Sequence, residues 1–262
     1  MSPSPAATLL LLRPEARGFS VFMVQRHKGS AFMPNMWVFP GGRVEPGDAA
    51  IGPEHTHGGH ATIARFGFEA DEGRGVLVAG VRETFEEAGL WLGSNTPDDA
   101  VRDALSDHTL TFDALLHQQR AVLDLDALHG WARWVTPAGE PRRFDTTFLV
   151  AVAPEGLGRH DARETVDSGW FTPRQVLDAG LGRMGLAPPT WFTLGELAEL
   201  PDVDAVIAAS RARDLSPIRP DLDMAGGSFA IILPGHARHP EPRRAGLPTR
   251  IGLQGGAWVT EP

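Results

Sequence analysis

One short segment, residues 82–90, constrains the fold of this chain more than any other. It reads Arg-Glu-Thr-Phe-Glu-Glu-Ala-Gly-Leu, so three carboxylates and one arginine fall within six residues. At about 100° per residue, Glu83, Glu86 and Glu87 fan over roughly 100° of one helix face. Apolar residues occupy the opposite face, namely Leu77, Val78, Val81, Phe85 and Ala88. The pattern predicts a helix over residues 75–88 that buries one face and presents a dense negative patch on the other.

The negative patch needs a physical reason, because like charges three and four residues apart repel and would destabilise an isolated helix. A hard divalent cation bound by the carboxylates would remove that repulsion. Mg²⁺ takes oxygen ligands, and proteins commonly hold it with a few carboxylates together with the phosphates of a substrate. The alternative is an ordinary solvated face, which is what most glutamate-rich helix faces are. The segment alone does not decide between the two.

Two motifs together resemble the Nudix box, G-x5-E-x7-R-E-U-x-E-E-x-G-U, in which U is an apolar residue. Residues 82–90 match its second half, and residues 39–48, Phe-Pro-Gly-Gly-Arg-Val-Glu-Pro-Gly-Asp, resemble its first half. Asp48 stands where the family has glutamate, and Thr84 stands at an apolar position. Because aspartate is one methylene shorter, direct metal contact and a hydrogen-bonding or water-mediated role are both open for Asp48.

The two halves of the box are separated by a long insertion. Residues 49–81, 33 in all, lie between the acid and the arginine where the family has 7, so about 26 residues are inserted. The inserted stretch, about residues 49–74, is rich in glycine and histidine and has no strong periodicity, which predicts a surface excursion. The spacing of His55, His57 and His60 could suit a transition metal. A mobile loop without a fourth ligand favours plain surface histidines instead.

A box split in this way resembles one branch of the Nudix superfamily, which includes the peroxisomal coenzyme A diphosphatases of animals and many bacterial relatives. Residues 32–34 (Phe-Met-Pro), 143–146 (Arg-Phe-Asp-Thr) and 186–191 (Leu-Ala-Pro-Pro-Thr-Trp) share the resemblance, which covers roughly residues 6–200. It implies an α/β/α sandwich around a mixed sheet, and a hydrolase that uses Mg²⁺ or Mn²⁺ to cleave a diphosphate bridge. Coenzyme A or acyl-coenzyme A is the implied substrate. The alternatives are an ADP-ribose, NADH or nucleotide-sugar pyrophosphatase and a non-catalytic Nudix-fold ligand sensor.

The resemblance also implies roles for individual residues. Glu83, Glu86 and Glu87 would hold the metal together with the backbone of Gly42. Arg82, four residues before Glu86, would orient a glutamate rather than touch substrate. Glu83 is the favoured general base that takes a proton from the attacking water.

Further candidates lie outside the helix. Glu164, just before a predicted strand, is the alternative general base, with an exposed loop acid as the competing interpretation. Arg13, Arg26 and Arg143 could bind substrate phosphates, because a guanidinium matches a phosphate bidentately. Gly41 is expected to let the backbone approach a phosphate oxygen closely. Surface ion pairing is the alternative for each arginine.

Composition limits the classes of function. The chain has 262 residues, 42% of them hydrophobic, which is enough for a full core. Its net charge of −9 argues against a nucleic-acid partner, and the absence of cysteine excludes disulfides and thiol catalysis. The apolar run at residues 6–12 is too short to span a membrane and lacks a basic flank. We expect a soluble cytoplasmic protein that acts on a small-molecule nucleotide without a membrane partner. Dimers are common among Nudix relatives, which suggests a homodimer.

The hydrophobic pattern predicts an α/β chain. Strands are predicted at residues 7–13, 19–26, 37–39, 131–136, 146–153 and 166–171. Further helices are predicted at residues 98–105, 112–128, 173–179, 189–200 and 203–212. Residues 1–215 are expected to form the Nudix domain, and residues 216–262 a C-terminal extension of short strands packed on the same domain.

Overall fold

The computed structural model describes residues 2–30, 33–161, 163–224 and 229–261. Phe32 of the branch motif lies outside these residues. The described strands are β1 (Ser4–Pro14), β2 (Phe19–Arg26), β3 (Trp37–Val38), β4 (Gly41–Arg43), β5 (Thr56–His57), β6 (Leu123–Asp124), β7 (His129–Val135), β8 (Phe144–Val152), β9 (Thr165–Phe171), β10 (Asp221–Asp223), β11 (Ala230–Ile232), β12 (Arg250–Gln254) and β13 (Ala257–Glu261). The helices are α1 (Pro46–Ala50), α2 (His60–Phe66), α3 (Ala70–Ala88), α4 (Asp99–Ser106), α5 (Phe112–Gln119), α6 (Pro173–Ala179), α7 (Pro188–Ala198) and α8 (Val203–Ser210).

The central sheet is mixed and is organised around β1. Its strand order is β3-β2-β1-β8-β7, with β4 also paired to β1 and β9 to β2. Strand β1 runs antiparallel to β2 and parallel to β8. Leu9 and Leu11 belong to one core cluster, whereas Leu10 and Leu12 belong to another. A strand buried on both faces needs a continuous apolar run, which explains the four consecutive leucines.

Helices cover both faces of this sheet. On one face, Leu77, Val81 and Phe85 of α3 pack in the cluster that contains Leu9. On the other, α6, α7 and α8 contribute buried side chains, among them Leu194. The predicted α/β/α sandwich around a mixed sheet is therefore confirmed. Within the described part of the chain, no helix has both the length and the apolarity of a membrane span.

The insertion in the box is not the surface excursion that its composition predicted. It contains the end of α1, β5, α2 and the first turns of α3, and it buries Ile51, Ile63 and Phe66 in the core beneath α3. Strand β5 pairs in parallel with β6, which fastens the insertion to the segment after α5. The prediction was wrong because elements of two to seven residues are too short to show a hydrophobic period. Their burial comes from tertiary contacts.

The histidines of the insertion do not gather. His55 is buried, its Nδ1 lies 2.8 Å from the carbonyl oxygen of Ala121, and its ring meets that of His117 edge-on. His57 approaches a carboxylate of Asp126 only to 3.9 Å, and His60 is exposed at the start of α2. The arrangement favours structural and surface histidines over a transition-metal site.

One predicted helix was too long. The helix predicted at residues 112–128 ends at Gln119, where Arg120 adopts a left-handed conformation with φ 50°. From Ala121 to Leu125 burial alternates residue by residue, which is the period of a strand. A 3-10 turn follows at Leu125–Ala127. The run of apolar residues therefore continues through a change of period that the sequence prediction overlooked.

The C-terminal residues form a four-stranded antiparallel sheet, β10-β11-β12-β13. Ile231 and Ile251 belong to the core cluster beneath α7 and α8, and the indole N–H of Trp258 donates to the carbonyl oxygen of Leu186 at 2.8 Å. The domain boundary at residue 215 stays a prediction.

Candidate active site

The glycine turn lies directly against the glutamate helix. Strand β4 pairs with β1 so that Gly42 faces Ala7. The N–H of Gly41 donates to Oε2 of Glu87 at 3.0 Å. A methyl group added at Gly42 would overlap the carboxylate of Glu83, so a larger residue there would displace that carboxylate from its present position. The structure therefore brings the two halves of the split box together.

Three glutamates of α3 crowd together beside this turn. The side chains of Glu83 and Glu86 are only 16% and 21% exposed, and Glu87 is 4% exposed. Burial raises the pKa of Glu83 to about 7, because desolvation and the charge of Glu86 outweigh the opposing effect of Arg82. Burial likewise raises the pKa of Glu86, and it raises that of Glu87 well above its ordinary value. Each carboxylate would gain from a nearby cation.

Arg82 connects α3 to the first half of the split box, residues 39–48. Its Nε and Nη2 atoms donate to the two oxygens of Asp48 at 2.8 and 3.0 Å, and its Nη1 donates to Glu83 at 2.9 Å and Glu86 at 3.4 Å. Burial disfavours the charged guanidinium, but the surrounding carboxylates raise the pKa of Arg82 above its usual value. Asp48 also accepts the backbone N–H of Glu45 at 2.7 Å. Of the two roles left open for Asp48, this geometry supports hydrogen bonding.

The charge balance of the site suits a divalent cation. Arg82 contacts three acidic side chains, Asp48, Glu83 and Glu86. Arg26 acts electrostatically on a fourth, Glu87. Acidic groups therefore outnumber guanidinium groups in a poorly solvated place. Among the described residues, no three or more His, Cys, Asp or Glu side chains already converge as metal ligands. The donors are nevertheless hard oxygen atoms whose burial and mutual repulsion a Mg²⁺ or Mn²⁺ ion would offset. The residues present therefore fit such an ion.

Two further predicted residues lie close to the glutamates. Arg26, at the end of β2, acts electrostatically on Glu87 and lowers its pKa, although burial remains the larger influence. Glu164 precedes β9 and raises the pKa of both Glu83 and Glu87. The backbone N–H of His27 donates to the carbonyl oxygen of Glu164 at 2.8 Å, which joins the two segments.

The other predicted arginines make structural contacts. Arg13 pairs with Glu15 at 2.9 Å, and its guanidinium lies 4.4 Å from the centre of the Trp170 ring. Arg143 donates its Nε to the carbonyl oxygens of Thr136 and Pro137, in the connection between β7 and β8. A role of Arg143 in substrate binding stays a prediction.

Sequence reasoning missed one buried residue at this site. Arg102 of α4 is 5% exposed and donates its Nε to the backbone carbonyl of Glu86 at 3.0 Å. Its partner is a main-chain atom, which every residue possesses. No side-chain pattern could therefore have indicated the contact.

Comparisons with known proteins identify relatives of this chain. The family profile described as the NUDT19 Nudix domain matches residues 71–197. The chain is 32% identical over 209 residues to a putative nudix hydrolase 7 of Caenorhabditis elegans, covering 76% of this chain and 62% of that protein's length. It is 26% identical over 272 residues to the human acyl-coenzyme A diphosphatase NUDT19, covering 85% and 72%.

A solved structure shares the fold. The crystal structure of a Nudix hydrolase from Alicyclobacillus acidocaldarius superimposes with a TM-score of 0.69 at 28% identity, over 79% of this chain and 96% of that one. The split box, the sandwich and these relatives agree with one another. The chain therefore belongs to the Nudix hydrolase superfamily of enzymes, in the branch that resembles the coenzyme A diphosphatases.

Proposed function

We propose that this protein is a divalent-metal-dependent pyrophosphohydrolase that cleaves the diphosphate of coenzyme A or acyl-coenzyme A. The observation that carries the proposal is the over-anionic cluster of Glu83, Glu86 and Glu87 against the glycine turn. The choice of substrate is supported by the acyl-coenzyme A diphosphatase activity of the NUDT19 relatives. That activity belongs to those proteins, and for this chain it is a proposal.

Glu83, Glu86 and Glu87 would hold Mg²⁺ or Mn²⁺, with the backbone of Gly42 approaching from the turn. When bound, the ion supplies positive charge against the phosphate oxygens and acidifies a water molecule. The residues of the chain prepare this site. Arg82, held by Asp48, fixes the carboxylates of Glu83 and Glu86 in place.

The reaction transfers one proton to the protein. The oxygen of a water molecule attacks one phosphorus atom, the bridging P–O bond breaks, and the bonding electron pair leaves with the departing phosphate. A carboxylate accepts the proton from the water. Glu83 is the favoured base because its carboxylate lies directly against the Gly42 turn, beside the other glutamates that would hold the ion. Glu164, whose charge raises the pKa of Glu83, is the alternative base.

Substrate phosphates would be bound beside the cluster. Arg26 is the best placed cation, since its charge already acts on Glu87. Gly41 brings main chain close to the same carboxylate. Arg143 would contribute only if a bulky substrate reached the β7–β8 connection. ADP-ribose, NADH or a nucleotide sugar is the second candidate for a substrate of this site.

The decisive experiment offers coenzyme A, an acyl-coenzyme A, ADP-ribose and NADH side by side, with Mg²⁺, Mn²⁺ or EDTA. We expect metal-dependent release of 3′,5′-ADP and phosphopantetheine from coenzyme A, no release with EDTA, and faster turnover than with the other compounds. Arg174→Ala, an exposed pair with Glu199 on the far face, serves as the matched control. Preferential cleavage of ADP-ribose or NADH would make that compound the substrate in place of coenzyme A. Cleavage of none of the compounds would overturn the proposal that the protein is an enzyme.

The ligand-sensor alternative makes a different prediction for the same samples. A sensor would bind one of these nucleotides, detected by calorimetry, without releasing a product. A homodimer and a cytoplasmic location stay predictions. Sedimentation velocity of the purified chain tests the first.

A further inference from the structure

The glutamate helix ends against a second buried arginine that the proposed chemistry does not use. Arg102 of α4 donates Nε to the carbonyl oxygen of Glu86 at 3.0 Å and Nη2 to that of Arg159 at 2.8 Å. In the opposite direction, the backbone N–H of Arg159 donates to the carbonyl oxygen of Ala88 at 2.8 Å. These three hydrogen bonds connect the last turn of α3 to the loop after β8.

The position of this guanidinium suits a helix end. The last carbonyl groups of a helix have no partner within the helix, and a cation there interacts favourably with the helix dipole. Gly89, the C-cap of α3, has φ 67°, and a side chain at this position would lie 3.0 Å from Nη1 of Arg102. The last turn therefore has both a left-handed cap and a charged donor above it.

The loop held by Arg102 also carries Glu164, the alternative general base. Beyond Arg159, the carboxylate of Asp161 accepts the backbone N–H groups of Glu164 and Thr165 at 3.1 and 3.0 Å. It accepts the hydroxyl of Thr165 as well, at 2.6 Å. The loop to which Arg102 donates a hydrogen bond is thus the loop that contains Glu164. One side chain therefore links the turn of Glu86 to the loop that leads to Glu164.

We propose that Arg102 is a positioning residue for the hydrolysis, which fixes the turn of Glu86 and Glu87 relative to the loop of Glu164. The inference rests on the proposed function of the glutamate cluster. Arg102 acts through main-chain atoms and touches neither substrate nor metal. A planar guanidinium bridges two carbonyl oxygens at once, whereas an ammonium group provides a single point of charge.

The matched control is Arg213, a half-buried arginine on the other face of the sheet. It donates Nε to the carbonyl oxygen of Trp131 at 2.5 Å and pairs with Glu196 at 2.7 Å. Replacing either arginine with alanine removes a guanidinium that donates to a main-chain carbonyl. Only Arg102 contacts the glutamate helix. Both variants should therefore unfold more easily, and only Arg102→Ala should disturb the site.

The experiment compares wild type, Arg102→Ala, Arg102→Lys and Arg213→Ala at a temperature where each is folded by circular dichroism. The readouts are kcat and KM on the cleaved substrate, and binding of Mn²⁺ alone by calorimetry. We expect Arg102→Ala to lower kcat and Mn²⁺ affinity by about 10- to 100-fold with KM nearly unchanged, because groups behind metal ligands have effects of this size. Arg102→Lys should fall between it and wild type, and Arg213→Ala should match wild type.

Chemical rescue separates positioning from general damage. A cleft of about 280 Å³ lies beside Arg102 and is also lined by Asp103, Ser106, Arg159, His160 and Asp161. Free guanidinium can reach the vacated position through this cleft. Millimolar guanidinium should restore part of the kcat of Arg102→Ala. The same concentration of urea or sodium chloride should not.

Hydrogen exchange distinguishes failure of this inference from failure of the proposed function. Without any substrate, the amides of Arg159 and Gly41 should exchange faster in Arg102→Ala than in Arg213→Ala. Unchanged exchange at both amides, or wild-type kcat and Mn²⁺ affinity in Arg102→Ala, would overturn the positioning role. If wild type cleaves nothing, the proposed function fails, and exchange together with Mn²⁺ binding still decides whether Arg102 positions the cluster.

Discussion

Each face of the sheet holds an arginine paired with acidic groups, Arg82 on one and Arg213 on the other, but the charge balance differs. On one face, Arg82 contacts Asp48, Glu83 and Glu86, with Glu87 close by. On the other, Arg213 pairs with a single acid, Glu196. The second pair is neutral as a unit and is completed by the indole N–H of Trp131, which donates to Glu196 at 3.2 Å. The first group carries excess negative charge.

This difference separates a structural ion pair from a candidate site. A buried pair that is satisfied on both sides needs no ligand to explain it. A cluster in which burial raises the pKa of three carboxylates stores repulsion that the fold must offset elsewhere. Such a cluster is understandable where a cation and an anionic substrate complete it. The contrast can be tested by removing charges from each face.

The largest effect is expected from Glu86→Gln. The change removes one proposed metal ligand, and we expect kcat on the cleaved substrate to fall by about 10³-fold, the equivalent of several kcal/mol. Without metal, the free energy of unfolding should stay equal or rise, because one of the repelling carboxylates is gone. Kinetics and urea denaturation in EDTA measure the two quantities. Wild-type turnover in this variant would remove Glu86 from the site.

The next largest effect is expected from Asp48→Asn, which removes the negative charge that pairs with the buried guanidinium of Arg82. The side chains of Asp48 and Arg82 are 2% and 5% exposed, so we expect a loss of roughly 3 kcal/mol in the free energy of unfolding. Activity should fall by about 10- to 100-fold, because Arg82 no longer fixes Glu83. Asp48→Glu restores the residue type of the family pattern and is the control. A normal kcat in Asp48→Asn would show that the pairing with Arg82 is dispensable.

Sequence reasoning reached the two faces unequally. The glutamate helix could be predicted because its apolar and acidic residues repeat with one period over four turns. The sandwich followed from the resemblance of the two motifs to the Nudix box, and the leucine run of β1 agrees with it because that strand is buried on both faces. The contact between Asp48 and Arg82 joins residues 34 positions apart. The family motif indicated that the two halves of the box meet, but neither it nor the local pattern predicted this pair. Arg102 gave no signal, since it binds main-chain atoms.

Arg213→Met tests the balanced face. Removing the cation leaves Glu196 buried, and we expect a loss of roughly 3 kcal/mol in the free energy of unfolding. Burial already raises the pKa of Glu196, so part of that loss is avoided when the acid binds a proton. Once the fraction of folded protein is accounted for, kcat should equal that of wild type. A drop in kcat comparable to that of Asp48→Asn would erase the distinction between the two faces.

The pH dependence of stability tests the repulsion on the acidic face. In EDTA, the pKa of Glu83 is about 7 in the folded protein and about 4.5 in the unfolded chain, so the protonated acid favours folding. This stability is fully present below pH 4.5 and is lost as the pH rises through 7, a change on the order of 3 kcal/mol. Glu83→Gln should lack this loss and exceed wild type in stability at pH 8. Parallel pH profiles would contradict the raised pKa.

The smallest effect is expected from two buried hydroxyl groups, one on each face of the sheet. It tests whether unpaired polar atoms, like excess charge, distinguish the face that carries the glutamates. Thr84 of α3 and Thr193 of α7 each bury a hydroxyl without a hydrogen-bond partner among the described residues, one on each side of the sheet. Valine has nearly the same shape, so Thr84→Val and Thr193→Val should each raise the free energy of unfolding by about 1 kcal/mol. Thr62→Val is the control, because its hydroxyl donates to the carbonyl oxygen of Leu128 at 2.8 Å and its loss should destabilise. Equal gains at Thr84 and Thr193 would mean that unpaired hydroxyls occur on both faces alike, which leaves excess charge as the property that distinguishes the site. A loss of stability at Thr84 alone would instead reveal a partner for its hydroxyl on the side of the glutamates.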